Sequence, residues 1–204
     1  MSDGPQRLVI NCGGPGPLPS ALPPELTEAL RSTAAHSTLT LDDTNSTAIL
    51  SDGALGKGVE DVRVERNEDN DSSRLVTAHD GYVRAFGLVH ERSLRLGNDG
   101  KEVSGQDKLI PRGRKRIREV APFAIRFHLA PGVEAVPTAD GMGALIRSRG
   151  APPWNFRCRG AMLSIEESLA IDGFGTPVPT IQLVIIGETS ALGTSVAWQL
   201  RRSS

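Results

Sequence analysis

In the stretch Phe123-Ala-Ile-Arg-Phe-His-Leu129 apolar residues take every second position, a period of two that fits a β-strand with one covered face. Residues 123, 125, 127 and 129 then point to a core, and Arg126 and His128 to the other side. The alternation recurs elsewhere. Val62 and Val64 alternate with Arg63 and Glu65, while Val196, Trp198 and Leu200 oppose Ala197, Gln199 and Arg201, so both segments read as half-buried strands. Ile181 to Ile186 is apolar except for Gln182, the pattern of a central strand covered on both sides. Further candidate strands are 8–11, 37–41, 47–50, 74–79, 88–96, 143–148, 155–159 and 162–169.

Between these segments stand turn-forming residues, drawn from 22 Gly and 14 Pro together with Asn and Asp. Asn98-Asp-Gly100 reads as a hairpin turn, because Asn and Gly tolerate positive φ, and the strand after it carries Val103 and Leu109. Many short strands at such spacing predict an all-β chain, an antiparallel β-sandwich of two packed sheets. One short helix is expected over Pro24–Ala34, with Pro in the first turn, Glu25 at the positive end, and Leu26 and Leu30 four apart. No repeat or composition shift divides the 204 residues, so a single domain over 1–204 is expected. The acidic stretch Asn67–Ser73 and the basic stretch Arg112–Arg118 lack apolar residues and read as exposed loops, about 66–73 and 111–119.

The net charge of -1 gives no global pull toward nucleic acid or an anionic membrane. No apolar run approaches the roughly 20 residues of a spanning helix, and the first residues lack a basic segment followed by an apolar one, so no signal peptide is expected. Cys12 and Cys158 lack the spacing of a structural zinc site, and a disulfide between them stays open.

Four histidines are candidates for chemistry. His36 stands at the junction of helix and strand among small neighbours, where an imidazole can ligate a cation or polarise a sugar carboxylate; the plainer alternative is a ring satisfied by backbone, Ser37 or Thr33. Tyr82 is the only tyrosine and follows His79-Asp-Gly. A phenolate can abstract a proton α to a carbonyl, but a tyrosine beside a turn more often packs. His90 and His128 lie within strands and read as solvent-face or core-edge residues. Asp42 with Asp43 and Glu166 with Glu167 are strand neighbours that point to opposite faces, so neither pair suits joint acid–base work. Arg112-Gly-Arg-Lys-Arg-Ile-Arg118 places five cations in seven residues, a density that suits a polyanion. Aromatics make up 4% of the chain, too few for a broad stacking platform beyond the core.

Five segments in order resemble the C-terminal region of heparinase II/III-like polysaccharide lyases: Leu8-Val-Ile-Asn-Cys-Gly-Gly-Pro; Arg31-Ser-Thr-Ala-Ala-His-Ser-Thr-Leu; His79-Asp-Gly-Tyr with Leu88-Val-His-Glu-Arg-Ser-Leu; Gly105-Gln-Asp-Lys-Leu; and Phe123-Ala-Ile-Arg-Phe-His-Leu. The resemblance covers about residues 7 to 201. It implies a β-sandwich that packs on a helical (α/α) toroid, with uronic-acid-containing, heparin- or heparan-like polysaccharide cleaved by β-elimination in the cleft between them. It also implies that the toroid supplies most catalytic groups, that Tyr82 is not the family's catalytic tyrosine, and that the setting is the periplasm or cell envelope. In some members an acidic residue and a histidine of this region help to hold zinc. His36 matches that histidine, whereas Asn11 stands in the acidic position and is the weaker ligand.

The expectation is therefore the β-domain of a lyase, as a fragment inactive alone, with no nucleic-acid partner and no membrane span. The alternatives are a non-catalytic module that binds acidic polysaccharide through Arg31, His36, Arg114, Lys115 and Arg116, and a structural domain that docks on a helical subunit.

Overall fold

A computed structural model of the chain describes residues 1–14, 22–112 and 120–203. Arg114, Lys115 and Arg116 lie outside the described residues. The strands are β1 (Ser2–Asp3), β2 (Gln6–Arg7), β3 (Val9–Ile10), β4 (Leu39–Leu41), β5 (Val62–Glu68), β6 (Ser72–His79), β7 (Leu88–Gly97), β8 (Glu102–Pro111), β9 (Pro122–Leu129), β10 (Val133–Pro137), β11 (Gly143–Ser148), β12 (Trp154–Arg159), β13 (Met162–Ile171), β14 (Pro177–Glu188) and β15 (Thr194–Arg202). Helix α1 (Pro24–Ala29), a 3-10 turn (Thr33–Ala35) and helix α2 (Val83–Phe86) complete the described elements.

The strands form an antiparallel sandwich, as the alternation predicts. An eight-stranded sheet runs β10-β11-β12-β15-β8-β7-β6-β5, and a smaller one runs β13-β14-β9-β3, with β4 also on β9. The large sheet thus joins two meanders, β5 to β8 and β10 to β12, through the last strand, β15. Between the sheets lie the predicted inward residues Phe123, Ile125, Phe127 and Leu129 of β9 and Val196, Trp198 and Leu200 of β15. Phe127 meets Phe156 and Trp198 edge-on, with ring centroids 5.1 and 4.8 Å away. Such aromatic pairs add about 0.5–1.5 kcal/mol beyond their burial. Leu183, Val184 and Ile185 of β14 are buried in succession, as a strand covered on both sides requires.

Several segments depart from the sequence reading. The acidic stretch 66–73 is not a loop: β5 runs to Glu68, β6 begins at Ser72, and Asp69 caps the tight turn by accepting the Asp71 and Ser72 N–H groups at 2.8 and 2.7 Å. Residues 47–50 form no strand, only an isolated bridge from Ile49 to Leu55. Val133–Pro137 forms a strand that the sequence reading missed. Val62 and Val64 are 62% exposed, because eight strands outrun five and β5 overhangs the smaller sheet. The expected helix splits into α1 and the 3-10 turn, and Leu30 and Ala35 form a small second core with Cys12, Leu26 and Leu169. Cys12 sits in that cluster and Cys158 in the main core; both are free thiols.

Candidate functional site

The 3-10 turn ends at His36, whose backbone is extended (φ -116°, ψ 150°), and the next residue is pinned on four sides. The Ser37 N–H donates to Asn11 Oδ1 at 2.9 Å, its hydroxyl donates to the Ile10 carbonyl at 2.5 Å and accepts from the His128 N–H at 2.9 Å, and its carbonyl accepts from Arg92 at 2.7 Å. Asn11 and His36 are therefore brought to one rim through Ser37. His36 is exposed, with Nδ1 held 2.9 Å from the Ser32 carbonyl, which leaves Nε2 for a ligand. Arg31 is exposed on the same segment and its guanidinium lies over Gly53.

This rim does not fit zinc. Asn11 Oδ1 and His36 Nδ1 are both engaged by backbone, and no group of three His, Cys, Asp or Glu gathers among the described residues. One imidazole and one amide fall short of the three or four protein ligands a zinc site uses. Of the basic stretch, Arg112 is described, and it faces Asp61 and Asp80, 3.7 Å from each.

His79 and His90 lie on the core face of the large sheet. Gly81 N–H donates to His79 Nδ1 at 3.2 Å, so the His79 proton sits on Nε2 and is given to His90 Nδ1, also 3.2 Å away. His90 in turn donates from Nε2 to Asp107 Oδ1 at 2.7 Å. Arg92 reaches both Asp107 oxygens, at 2.7 and 3.1 Å, and the Trp198 indole N–H takes Oδ2 at 2.8 Å. The Asp107 side chain has no exposed surface. Burial alone would raise its pKa, but the Arg92 charge and the His90 hydrogen bond outweigh it and hold the carboxyl at about 2. At the outer end, His79 borders a surface cavity of about 400 Å³ with Asp61, Arg63, Asp80 and Arg112. Desolvation, reinforced by His90, lowers its pKa to about 4.

Of the two readings of His90 and His128, solvent face or core edge, the solvent face is excluded, since both are 3% exposed. His90 shares the core face of β7 with Leu88. His128 does point away from the main core, but the 22–37 segment covers it: Nε2 donates to the Ala34 carbonyl at 2.9 Å, and Nδ1 accepts from the Ser168 hydroxyl at 2.8 Å. Burial lowers its pKa. Tyr82 is fully buried and donates to the Leu39 carbonyl at 2.8 Å, and burial raises its pKa, away from a usable phenolate. Glu166 accepts a hydrogen bond from Ser164 at 2.6 Å on its own strand.

The Arg92–Asp107 pair was missed in the sequence, although a signal existed. Arg92 and Asp107 lie at equal distance from the Asp99–Gly100 peptide bond of the hairpin turn, on the faces of β7 and β8 that also carry Leu88 and Leu109. Two opposite charges at paired core-facing positions mark a buried ion pair.

Comparison with known proteins places this architecture. The sequence profile of the family described as heparinase II/III-like, C-terminal, matches residues 1–199. The chain belongs to this family. It is 30% identical over 210 residues to FtsZ-localized protein C of Caulobacter vibrioides, covering 97% of this chain and 35% of that protein. Among solved structures, heparan sulfate lyase HepC from Pedobacter heparinus superposes with a TM-score of 0.72 at 16% identity, over 95% of this chain and 28% of that one. A heparinase III, the BT4657 gene product, gives 0.74 at 14% identity, over 97% and 28%. The heparinase II/III-like domain thus spans about a third of the curated relative and less of the lyases. Among the described residues, no helix is long and apolar enough to cross a membrane.

Proposed function

We propose that this heparinase II/III-like chain is a non-catalytic β-sandwich module that binds acidic, uronic-acid-containing polysaccharide and docks on a helical (α/α) domain, in the periplasm or cell envelope. The observation that carries this reading is the disposition of its acid–base groups. Tyr82, His90 and His128 are buried in hydrogen bonds, and His79 is tied to Gly81 and His90. His36 alone among the histidines is exposed, on a rim braced by Asn11 and Ser37. A β-elimination needs a base that meets a proton α to a carbonyl; Tyr82, His79, His90 and His128 are engaged and do not offer one, and His36, held at Nδ1 by the Ser32 carbonyl, is assigned to the sugar carboxylate and not to the proton. A fixed imidazole with Arg31 nearby suits the carboxylate of a sugar, and Arg114, Lys115 and Arg116 add cations.

The test has two parts. Incubated with heparan sulfate, the chain alone should release no unsaturated products absorbing in the ultraviolet; their appearance would overturn the non-catalytic reading. On a heparin column it should be retained, with retention falling as salt rises and in His36→Ala and in a triple Arg114→Gln, Lys115→Gln, Arg116→Gln variant. Passage of the unaltered chain without retention would sink the binding role.

A second reading is association with the division machinery, favoured because identity to FtsZ-localized protein C is about twice that to the lyases. Co-sedimentation with FtsZ polymers is its test, and a chain left wholly in the supernatant removes it.

A further inference from the structure

The register of the large sheet places Arg74 of β6 directly opposite Arg95 of β7. Both belong to the outer face, since their neighbours Leu75 and Leu94 lie on the face turned toward the other sheet, and both arginines are exposed. Like charges directly opposed across a strand pair destabilise the sheet unless something neutralises them. Some other cations on this face have such partners: Arg63 and Lys108 both reach Glu91, at 3.1 and 3.2 Å, and Arg157 takes Asp140 at 2.8 Å. Among the described residues neither the Arg74 nor the Arg95 side chain makes a hydrogen bond or a close ion pair, and Arg95 acts only at longer range on the Asp69 carboxylate, whose pKa its charge helps to lower.

Around this pair the surface dips into a depression of about 290 Å³, lined by Arg74, Ser93, Arg95, Ser104, Gln106 and Asp69. Asp69 is the one carboxylate in it. That group already accepts the Asp71 and Ser72 N–H groups and the Ser72 hydroxyl, which fix it in the hairpin turn. Two guanidinium groups and two serine hydroxyls therefore face one engaged carboxylate, and the local balance favours an anion. The site also belongs to a line of polar residues that crosses the strands: Asn67, Arg74, Arg95, Ser104, Gln199 and Arg157 are successive register partners from β5 to β12. Adjacent strands stand about 4.8 Å apart, so this line presents donors at regular steps along a straight path.

We infer that Arg74 and Arg95 form an oxyanion-binding site on the outer face of the large sheet, which takes a sulfate or carboxylate group, with Ser93 and Ser104 donating beside them. Its ligand class is a saccharide bearing such groups, laid across the strands. This source rests on the polysaccharide reading, whereas the oxyanion chemistry does not. The surface is separate from the His36 rim, which lies on the segment that covers the smaller sheet.

The test is calorimetric titration of the whole chain with a heparin-derived oligosaccharide, an oligogalacturonate, inorganic sulfate and inorganic phosphate, beside melting curves in each anion. Expected is binding that weakens with added chloride and that falls about threefold to tenfold in Arg74→Gln and in Arg95→Gln, as for a partly exposed charge-assisted contact. Arg63→Gln, on the same face but already paired with Glu91, should bind as the unaltered chain does. Equal loss in Arg63→Gln, or no binding of any of the four, overturns the site. Loss of saccharide binding in His36→Ala but not in the Arg74 and Arg95 variants also overturns it and leaves the polysaccharide reading standing. Sulfate or phosphate binding lost in Arg74→Gln and Arg95→Gln, with no saccharide bound, supports the oxyanion site and overturns the saccharide as its source.

Discussion

Arg92 and Asp107 face each other across β7 and β8, with the Arg92 Nε and one terminal nitrogen bound to the two carboxylate oxygens at 2.7 and 3.1 Å. The guanidinium carbon lies 5.9 and 5.8 Å from the Phe127 and Trp198 ring centroids, so the pair is enclosed by the aromatic core. Its third donor holds the Ser37 carbonyl at 2.7 Å and so links the core to the His36 rim. Removing one partner leaves the other charge buried and alone. Asp107→Asn is expected to lower unfolding free energy by about 3–5 kcal/mol, the usual cost of breaking a buried pair. Urea denaturation followed by tryptophan fluorescence checks this, and a loss under about 1 kcal/mol would show that water reaches Arg92.

Stability should also depend on pH in a defined window. His79 titrates near 4 when folded and near 6.5 when unfolded, so between these values the unfolded chain binds more protons. Stability is then fully present above pH 6.5 and declines as pH falls toward 4. His128 is shifted in the same direction. The Asp107 carboxyl, at about 2 against an ordinary 3.8, adds a further loss only below about pH 4. Denaturation midpoints measured from pH 7.5 to 4 should show this decline, and His79→Gln should flatten it. A midpoint independent of pH over that range contradicts the tautomer chain from Gly81 to Asp107.

Gly105 leaves room for an indole. It pairs with Trp198 across β8 and β15, and a Cβ built there would lie 2.2 Å from the Trp198 ring. Gly105→Ala should destabilise by about 1–3 kcal/mol through overpacking. The displaced indole would also lengthen its bond to Asp107, so the Trp198 N–H should exchange with deuterium faster. Unchanged stability and exchange would mean that β15 shifts freely.

Tyr82 separates packing from chemistry. Its hydroxyl satisfies the Leu39 carbonyl within the core, and Tyr82→Phe removes that donor while keeping the ring. A loss of about 1–3 kcal/mol is expected from the unpaired carbonyl. Retention on heparin should not change, because the hydroxyl is wholly buried. Reduced retention in a folded Tyr82→Phe chain would contradict a purely internal role.

Much of this architecture was legible in the sequence because alternation is a local property. Phe123 to Leu129 shows its inward set without reference to any other strand, and the five ordered segments carried the family. Burial of an outward face is not local. The second face of β9 reads as polar, yet Ser168, Ala34 and Ser37 close over His128 from segments 40, 94 and 91 residues away. The exposure of Val62 and Val64 depends likewise on the smaller sheet ending short of β5, which no feature of residues 62–68 reveals.

The amino-acid sequence by itself determined the all-β class, most strand positions, the inward residues and the placement of His36 at a helix-to-strand junction, because period-two patterning and turn residues act over a few positions. Tertiary structure alone decided which polar groups became core. Arg92 with Asp107, and His79 with His90, meet only through strand pairing; the Arg92 charge then keeps the Asp107 carboxyl low against its burial, and burial lowers the pKa of His79. The same pairing brought Arg74 opposite Arg95, an opposition that follows from register and from neither arginine's own neighbours in the chain.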